Sequence, residues 1–209
     1  MTVLGQAEFQ RHFDVSRETI EALEHYASLL RKWNAAINLV ARSTLDDLWR
    51  RHFLDSAQVF SLCPESARSW ADLGSGGGFP GLVVSILAAE SRPNLSVTLV
   101  ESDVRKATFL NNVVRELDLP TKVLPERIEA IPPLSADVLS ARALGPLRDL
   151  CGFAVRHLAP DGCAMFQKGE TWREEVEDAR KTWAFHLQDF KSITDQRAAV
   201  LLMRGIERV

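Results

Sequence analysis

Residues 72–81, DLGSGGGFPG, constrain the fold of this chain more than any other segment. Five of these ten residues are glycine, yet the strand-like segment SWADL leads into the segment and the apolar run LVVSILAA follows it. Glycines let a backbone approach a ligand closely and adopt positive φ, and a helix that begins behind them offers unpaired N–H groups. In open α/β sheets, ligands bind beyond the carboxyl ends of the strands. The segment therefore predicts a strand, a ligand-binding loop and a helix.

Strand and helix patterns alternate from residue 69 onward. This alternation predicts a mostly parallel sheet with helices on both faces. The predicted strands are residues 69–73, 96–102, 121–127 (with a loop at the end), 136–143, 163–169, 186–193 and 197–206. The predicted helices among them are residues 82–90, 104–119, 145–158 and 170–184, and the turn APDG at 159–162 is expected to close the third helix.

The last two predicted strands are separated only by the polar turn TDQ. Two strands without a helix between them predict an antiparallel hairpin at the end of the parallel sheet. This is the layout of Rossmann-like methyltransferases that use S-adenosylmethionine, and it is not the usual end of a dinucleotide-binding domain. We therefore predict an α/β fold of this class I type, with a seven-stranded sheet and a C-terminal antiparallel hairpin.

The N-terminal part of the chain has helical patterns only. Residues 16–34 predict an amphipathic helix that Ser16 can cap, with apolar side chains at helical spacing at Ile20, Leu23, Ala27, Leu30 and Trp33. A second helix is expected to begin at Thr44 and to run to residue 60, with Asp47 completing a capping-box-like pair.

The length of 209 residues suits one domain with a substantial core. We expect a single methyltransferase domain over the whole chain, composed of an N-terminal helical extension, residues 1–66, and a Rossmann-like core, residues 67–209. No heptad or edge-pairing signal occurs in the sequence, and a monomer is expected.

Composition excludes several classes of protein. The three cysteines are scattered without a CxxC pair, which favours reduced thiols in a cytoplasm and no metal site. No apolar run approaches the ~20 residues of a membrane span, and the N-terminus lacks the basic and apolar regions of a signal peptide. The net charge is −3, so contact with a nucleic acid would require a local basic face.

The glycine loop fits two cofactors. Gly76, Gly78 and Gly81 form GxGxxG, and Glu101 follows twenty residues later, as in nicotinamide-dinucleotide sites. The denser pattern D-x-G-x-G-x-G, which begins at Asp72, is the methyltransferase version. The Asp72 carboxylate would oppose a pyrophosphate but suit the cationic aminoacyl end of S-adenosylmethionine, and the Phe-Pro pair crowds the place of a pyrophosphate. We therefore predict S-adenosylmethionine.

Two alternatives remain open at this point. One is a nicotinamide-dependent oxidoreductase, for which 209 residues leave little room for a substrate domain. The other is a non-catalytic RNA-binding assembly factor with a vestigial pocket. The intact loop and the acidic Glu101, which suits a ribose diol, argue against it.

Motifs along nearly the whole chain resemble one family. They are WNAAINLVA (33–41), RHFLDS (51–56), the glycine loop, LVES and RKATFL (99–110), ERIEAI (126–131), SARAL (140–144) and KGE (168–170). Together they resemble the glucose-inhibited division protein B family, bacterial enzymes that methylate N7 of a guanosine in 16S ribosomal RNA.

This resemblance implies rRNA modification with S-adenosylmethionine as cofactor and 16S rRNA or the small ribosomal subunit as partner. It implies cofactor contacts at Gly74, Phe79, Glu101, Ile128 and Glu129, and an arginine beside cofactor and substrate at Arg142. We also predict cofactor contacts from the rest of the loop and from the end of the second strand, by Asp72, Ser75, Gly76, Gly78 and Ser102.

Guanine N7 carries an available lone pair, so its methylation needs positioning rather than a strong base. The sequence agrees, since it lacks the [N/D]PP[Y/F] loop of exocyclic-amine enzymes and a cysteine suitably placed as a nucleophile. Arg142, at a predicted strand end, is the candidate catalytic residue. His52 and Asp55 are three residues apart and form either an acid–base pair or, as we favour, a buried structural contact. Methylation at N7 makes the base positively charged, so a carboxylate or carbonyl near it is expected.

Several cations are candidates for contact with RNA. Arg105 and Lys106 stand at a predicted helix start, where cations oppose the helix dipole. They either position an RNA phosphate or belong to a solvated face. The other candidates are Arg50, Arg51 and Lys168.

Overall fold

The computed structural model describes residues 2–209 and contains one seven-stranded sheet with the order β3-β2-β1-β4-β5-β7-β6. Strands β1 to β5 pair in parallel, and β7 is antiparallel to both β5 and β6. This confirms the predicted fold class, including the C-terminal hairpin. The strands are β1 Ser69–Leu73, β2 Ser96–Val100, β3 Thr121–Leu124, β4 Ala136–Arg142, β5 Leu158–Lys168, β6 Trp183–Lys191 and β7 Ala199–Arg208.

Helices cover both faces of the sheet because the buried strands are apolar on both sides. Along β5, Cys163 and Met165 join one apolar cluster, and Ala164 and Phe166 join the other, as the period of two in a strand requires. The helices are α1 Thr2–His12, α2 Arg17–Asn34, α3 Asp55–Phe60, α4 Gly81–Ser91, α5 Val104–Glu116, α6 Leu147–His157 and α7 Trp172–Ala179. Helices α1 to α5 contribute to the first cluster, and α6 and α7 to the second.

Helix α2 forms as its sequence predicts. The Ser16 hydroxyl accepts a hydrogen bond from Thr19 N at 3.1 Å, which satisfies one free N–H of the first turn. The Glu90 carboxylate at the end of α4 accepts from Ser16 N at 3.0 Å and also from Ser16 Oγ at 3.1 Å. This joins the start of α2 to the end of α4.

The helix expected over residues 44–60 is not continuous. A 3₁₀ turn, Arg42–Thr44, precedes a π-helical turn, Trp49–Leu54, which continues into α3. The Thr44 hydroxyl donates to Ala41 O at 2.7 Å and lies 2.8 Å from His52 Nε2. The expected capping residue is therefore engaged by the His52 side chain. The predicted capping by Thr44 and Asp47 is therefore wrong, because the π turn brings His52 to this position.

Three further elements differ from the sequence-based expectation. The helix predicted over 170–184 ends at Ala179, and β6 already begins at Trp183. Helix α1 was not predicted; it is held by tertiary contacts, since Phe9 is buried with its ring 5.6 Å from that of Trp49. The turn expected at 159–162 is instead part of β5, where the register with β4 shifts between Ala136 and Val138. Gly162 permits this irregularity, because a Cβ there would lie 2.8 Å from the Ala136 carbonyl oxygen.

None of the helices described over residues 2–209 is long and apolar enough to cross a membrane. The same described residues contain no group of three or more His, Cys, Asp or Glu side chains that could hold a metal ion.

Candidate active site

A cavity of about 580 Å³ opens at the carboxyl ends of β1, β2 and β4. We call it the first cavity. The glycine loop forms one side, the segment after β3 forms another, and the start of α6 closes a third. Most of the predicted cofactor contacts line it, namely Gly74, Ser75, Gly76, Phe79, Glu101, Ser102, Ile128, Glu129 and Arg142.

The glycine loop turns because several of its residues have positive φ. Gly74, Gly76 and Gly78 have φ of +65°, +56° and +97°, a region in which side chains are strained. A Cβ added at Gly76 would have only Gly74 O nearby, at 3.8 Å. The backbone of Gly76 therefore borders open space in the first cavity, and a ligand can approach it closely.

Glu101 follows β2 and anchors the loop. Its carboxylate accepts from Gly76 N and from Asp103 N, both at 2.8 Å, and the residue is only 7% exposed. A carboxylate has about four acceptor positions, so Glu101 can still accept hydrogen bonds from the hydroxyls of a ribose. The two backbone contacts hold it in place for that task.

The segment after β3 is held from behind by the end of α6. His157, which is fully buried, is hydrogen-bonded through Nε2 to Ile128 O at 3.0 Å, and Arg156 donates to Ile131 O at 2.8 Å. Burial lowers the pKa of His157, so the ring is neutral and Nε2 is the donor to this carbonyl. Ile128 and Phe153 thus form an apolar wall of the first cavity that suits a flat heteroaromatic ring.

Asp72 and Gly78, both predicted to contact the cofactor, lie behind the loop and do not line the first cavity. Asp72 is fully buried and accepts from Ser140 Oγ at 2.7 Å and from Gly81 N at 3.3 Å. This burial raises its pKa to about 6. A Cβ at Gly78 would lie 2.6 Å from the Tyr26 hydroxyl, so this glycine is needed for packing. The prediction that Asp72 meets a cationic ligand group therefore requires correction, because its oxygens are used inside the fold.

Arg142, at the end of β4, stands between the first cavity and a second one. Its Nη2 lies 3.0 Å from His52 Nδ1, its Nη1 lies 3.5 Å from Asp55 Oδ2, and the guanidinium carbon lies 4.8 Å from the Phe79 ring centre. Burial, followed by the charge of Arg142, lowers the pKa of His52 to about 3. The neutral His52 ring therefore accepts from Arg142.

The second cavity also has a volume of about 580 Å³ and shares Leu39, Arg142 and Ala143 with the first. Asp55 lies in its wall and accepts four side-chain hydrogen bonds. Oδ1 accepts from Gln58 at 2.7 Å and from Thr194 at 3.1 Å, and Oδ2 accepts from Gln167 at 2.6 Å and from Arg142. Burial raises the pKa of Asp55, while Arg142, Thr194 and Gln58 oppose that shift.

His52 and Asp55 do not form the acid–base pair considered from the sequence. Each contacts Arg142 instead, so they hold its guanidinium from two sides. The preferred prediction of a buried structural contact agrees with this arrangement, although the contact is made through Arg142. Gln167 and the four-fold role of Asp55 were not anticipated, because no local pattern marks them.

The predicted RNA-contacting cations lie in different surroundings. Lys106 lines the first cavity and Arg51 lines the second. Arg50 lies 3.7 Å from Glu8, and Arg105 lies 3.3 Å from Asp103, in pairs whose arginines are largely exposed.

Lys168 is already engaged within the protein. Its side chain is 9% exposed, its Nζ lies 2.6 Å from the Glu175 carboxylate, and it donates to Gly145 O at 2.7 Å. This position argues against its predicted contact with RNA, since a phosphate would have to displace an internal ion pair.

Comparison with known proteins gives a consistent result. A model of the GidB family, described as rRNA small subunit methyltransferase G, matches residues 19–201. A protein of Ruegeria sp. (strain TM1040) named ribosomal RNA small subunit methyltransferase G is 53% identical over 196 residues, which cover 94% of this chain and 95% of the relative. A protein of the same name from Paracoccus denitrificans is 51% identical and covers 92% and 97%.

Solved structures show the same fold at low sequence identity. A SAM-dependent methyltransferase from Aquifex aeolicus superposes with a TM-score of 0.58 at 15% identity, covering 85% of this chain and 97% of that one. M. jannaschii TYW2 in complex with AdoMet superposes with a TM-score of 0.53 at 12% identity, covering 84% and 80%.

Proposed function

The chain belongs to the GidB family of ribosomal RNA small subunit methyltransferases, and on this premise we propose that it methylates N7 of a guanosine in 16S ribosomal RNA. It is an rRNA methyltransferase that uses S-adenosylmethionine. Family membership supports this function over the nicotinamide-dependent oxidoreductase and over the non-catalytic assembly factor.

The residues of the first cavity fit S-adenosylmethionine. The open backbone at Gly76 would admit it, the Glu101 carboxylate would accept from its ribose, and Ile128 with Phe153 would flank its adenine. When bound, this cofactor supplies a methyl group on a positively charged sulfur. The loop glycines and Glu101 act by binding and orientation.

The observation that carries the N7 assignment is the protonation chemistry at the junction of the two cavities. The titratable side chains in mutual contact there are Arg142, His52 with a pKa of about 3, and Asp55 with four hydrogen bonds. None of these is suited to remove a proton from an amine at neutral pH. An atom that reacts through its own lone pair, such as guanine N7, needs no such group.

Arg142 is proposed as the catalytic residue that contacts the base. His52, Asp55 and Phe79 fix its guanidinium, and the remaining N–H groups can donate to guanine O6, which lies beside N7. Donation to O6 would orient the base while N7 stays free to react. The contribution is then one of positioning in the reacting complex.

Arg51 and Lys106 are proposed to contact RNA phosphates, since they flank the second and first cavities. Arg50 and Arg105 are candidates on the nearby surface. The partner is 16S rRNA, free or within a small ribosomal subunit. The monomeric state, the cytoplasmic location and the division at residue 66 stay predictions.

The test is methyl transfer from labelled S-adenosylmethionine to 16S rRNA, presented both as free RNA and within small subunits. N7-methylguanosine is identified by strand cleavage after reduction and aniline treatment, to which the other methylated guanines are resistant. If the RNA carries the labelled methyl group but is not cleaved by this treatment, the N7 assignment is contradicted and rRNA methylation still stands.

A further inference from the structure

The side chain of Gln167 lines the second cavity, and one of its polar atoms is unpaired within the described residues. It lies on β5 directly beside Arg142 of β4 in the strand register and is 8% exposed. Its Nε2 donates to Asp55 O at 2.9 Å and to Asp55 Oδ2 at 2.6 Å. Within the described residues, its Oε1 has no hydrogen-bond partner.

The chemistry of the neighbours fixes the orientation of this amide. Both atoms near Nε2 are oxygens that can only accept, so the NH₂ group must face them. Oε1 is consequently the free atom, and it is an acceptor. A buried acceptor without a partner is costly, and such atoms in native proteins call for an explanation.

A second glutamine in the same wall shows the contrast. Gln58 donates to Asp55 Oδ1 at 2.7 Å and to Ser192 Oγ at 3.2 Å, and its Oε1 accepts from Ile193 N at 3.0 Å. Both glutamines therefore bind Asp55, but only Gln167 retains a free acceptor.

We infer that Gln167 Oε1 accepts a hydrogen bond from the N2 amino group of the target guanine and thereby selects guanine in the second cavity. This inference rests on the proposed function. Guanine presents N7 and O6 on one edge and the N2 amino group on the opposite edge. With N7 directed past Arg142 to the first cavity, the N2 amino group points into the second. Adenine has no amino group there, so it would leave Oε1 unpaired.

Inosine tests this contact, because it is guanosine without the N2 amino group. Small-subunit RNA is assembled by ligation with either guanosine or inosine at the target position, and single-turnover methyl transfer is measured on each. The wild-type protein should be at least about 10-fold slower on inosine, since the buried acceptor stays unpaired. Equal rates on the two substrates would overturn the inference.

Two matched variants separate recognition from support of Asp55. Gln167→Met should be slower than the wild type on guanosine, and its rates on guanosine and on inosine should be nearly equal. Gln58→Met removes an equivalent donor to Asp55 but no free acceptor, so it should keep the wild-type preference for guanosine. Binding of S-adenosylhomocysteine shows that each variant is folded.

The remaining outcomes are decisive as well. A preference for guanosine that persists in Gln167→Met would place discrimination elsewhere and overturn the inference. Methyl transfer by the wild-type protein to another atom of the target, or to none, would contradict the proposed function itself. That result is distinguishable from loss of base preference, because it appears on the guanosine substrate before any variant is compared.

Discussion

At the scale of single residues, the site depends on how Arg142 keeps its charge in a nearly buried position. Burial lowers its pKa, while Asp55 is the largest opposing influence. The neutral His52 ring and the face of Phe79 add a hydrogen bond and a cation–π contact. The planar fork of an arginine can meet all three partners at once, which a single ammonium cannot do.

Arg142→Lys should therefore impair catalysis while retaining the positive charge. We expect kcat/KM for methyl transfer to fall by about 10- to 100-fold, because the contacts with His52 and guanine are lost. Binding of S-adenosylhomocysteine, measured by calorimetry, should change by much less. If this variant turns over at the wild-type rate, Arg142 contributes only its positive charge, and its planar geometry is not required.

His52 predicts a specific dependence of stability on pH. Its pKa is lowered to about 3 in the folded protein, whereas the unfolded chain protonates near 6.5, so the unfolded state binds more protons between these values. The free energy of unfolding should fall as pH drops from 6.5 toward 3, with a slope from this group of at most about 1.4 kcal/mol per pH unit.

The variant His52→Asn isolates this slope. Its amide oxygen can replace Nδ1 as the acceptor for Arg142, but it does not titrate. Urea unfolding at several pH values should show a shallower dependence on pH in the variant than in the wild type. Parallel curves for the two proteins would mean that the folded-state ring titrates normally.

At the scale of elements, the glycine loop has positive φ angles that other residues adopt only with strain, and it also presents a surface that a ligand can approach. Loop residue Gly78 is close to Leu82 and Tyr26, so packing inside the protein demands its small size. Gly76 differs, because a Cβ there would face open space. Its small size is required by the ligand rather than by the fold.

Gly76→Ala should consequently weaken the binding of S-adenosylhomocysteine more than it weakens the fold. We expect about 1–2 kcal/mol of backbone strain, together with a Kd that rises roughly 10-fold or more from overpacking. Gly205→Ala is the matched control, since Gly205 also has positive φ, +58°, but lies on β7 outside both cavities. Equal affinity in both variants would show that the ligand does not approach Gly76.

At the scale of the whole molecule, the N-terminal helices and the sheet share one apolar cluster. Leu23 and Leu30 of α2 belong to the same cluster as Leu82 of α4 and Val138 of β4. Asp55 of α3 adds polar contacts to Gln167 on β5 and to Thr194 between β6 and β7. The N-terminal helices therefore complete the wall of the second cavity.

This shared core predicts cooperative unfolding. Peptides from α2 and from β4 should exchange their amide hydrogens with the same free energy of opening. S-adenosylhomocysteine at 100 times its Kd should raise both values by about 2.7 kcal/mol. Hydrogen exchange with mass spectrometry provides the measurement, and an α2 that opens independently of the ligand would show that the extension is a separate unit.

Local physics alone determined much of this protein. Capping by Ser16, the apolar period of α2, the alternation of strands with helices and the five glycines of residues 72–81 act within one element or between neighbours. The sequence by itself therefore determined the fold class and the position of the first cavity, and nine of the eleven predicted cofactor contacts line that cavity.

Tertiary structure decided the roles of side chains whose partners are far away in sequence. The sequence predicted that the Asp72 carboxylate binds a ligand, but in the fold it accepts a hydrogen bond from Ser140. Lys168 was predicted to contact RNA, but it donates to Gly145 O and pairs with Glu175. Gln167 acquires its free oxygen only because Asp55, 112 residues away, takes both of its N–H groups. The hydrogen-bond partners in a buried site depend on how several elements pack together, and no local sequence pattern contains that information.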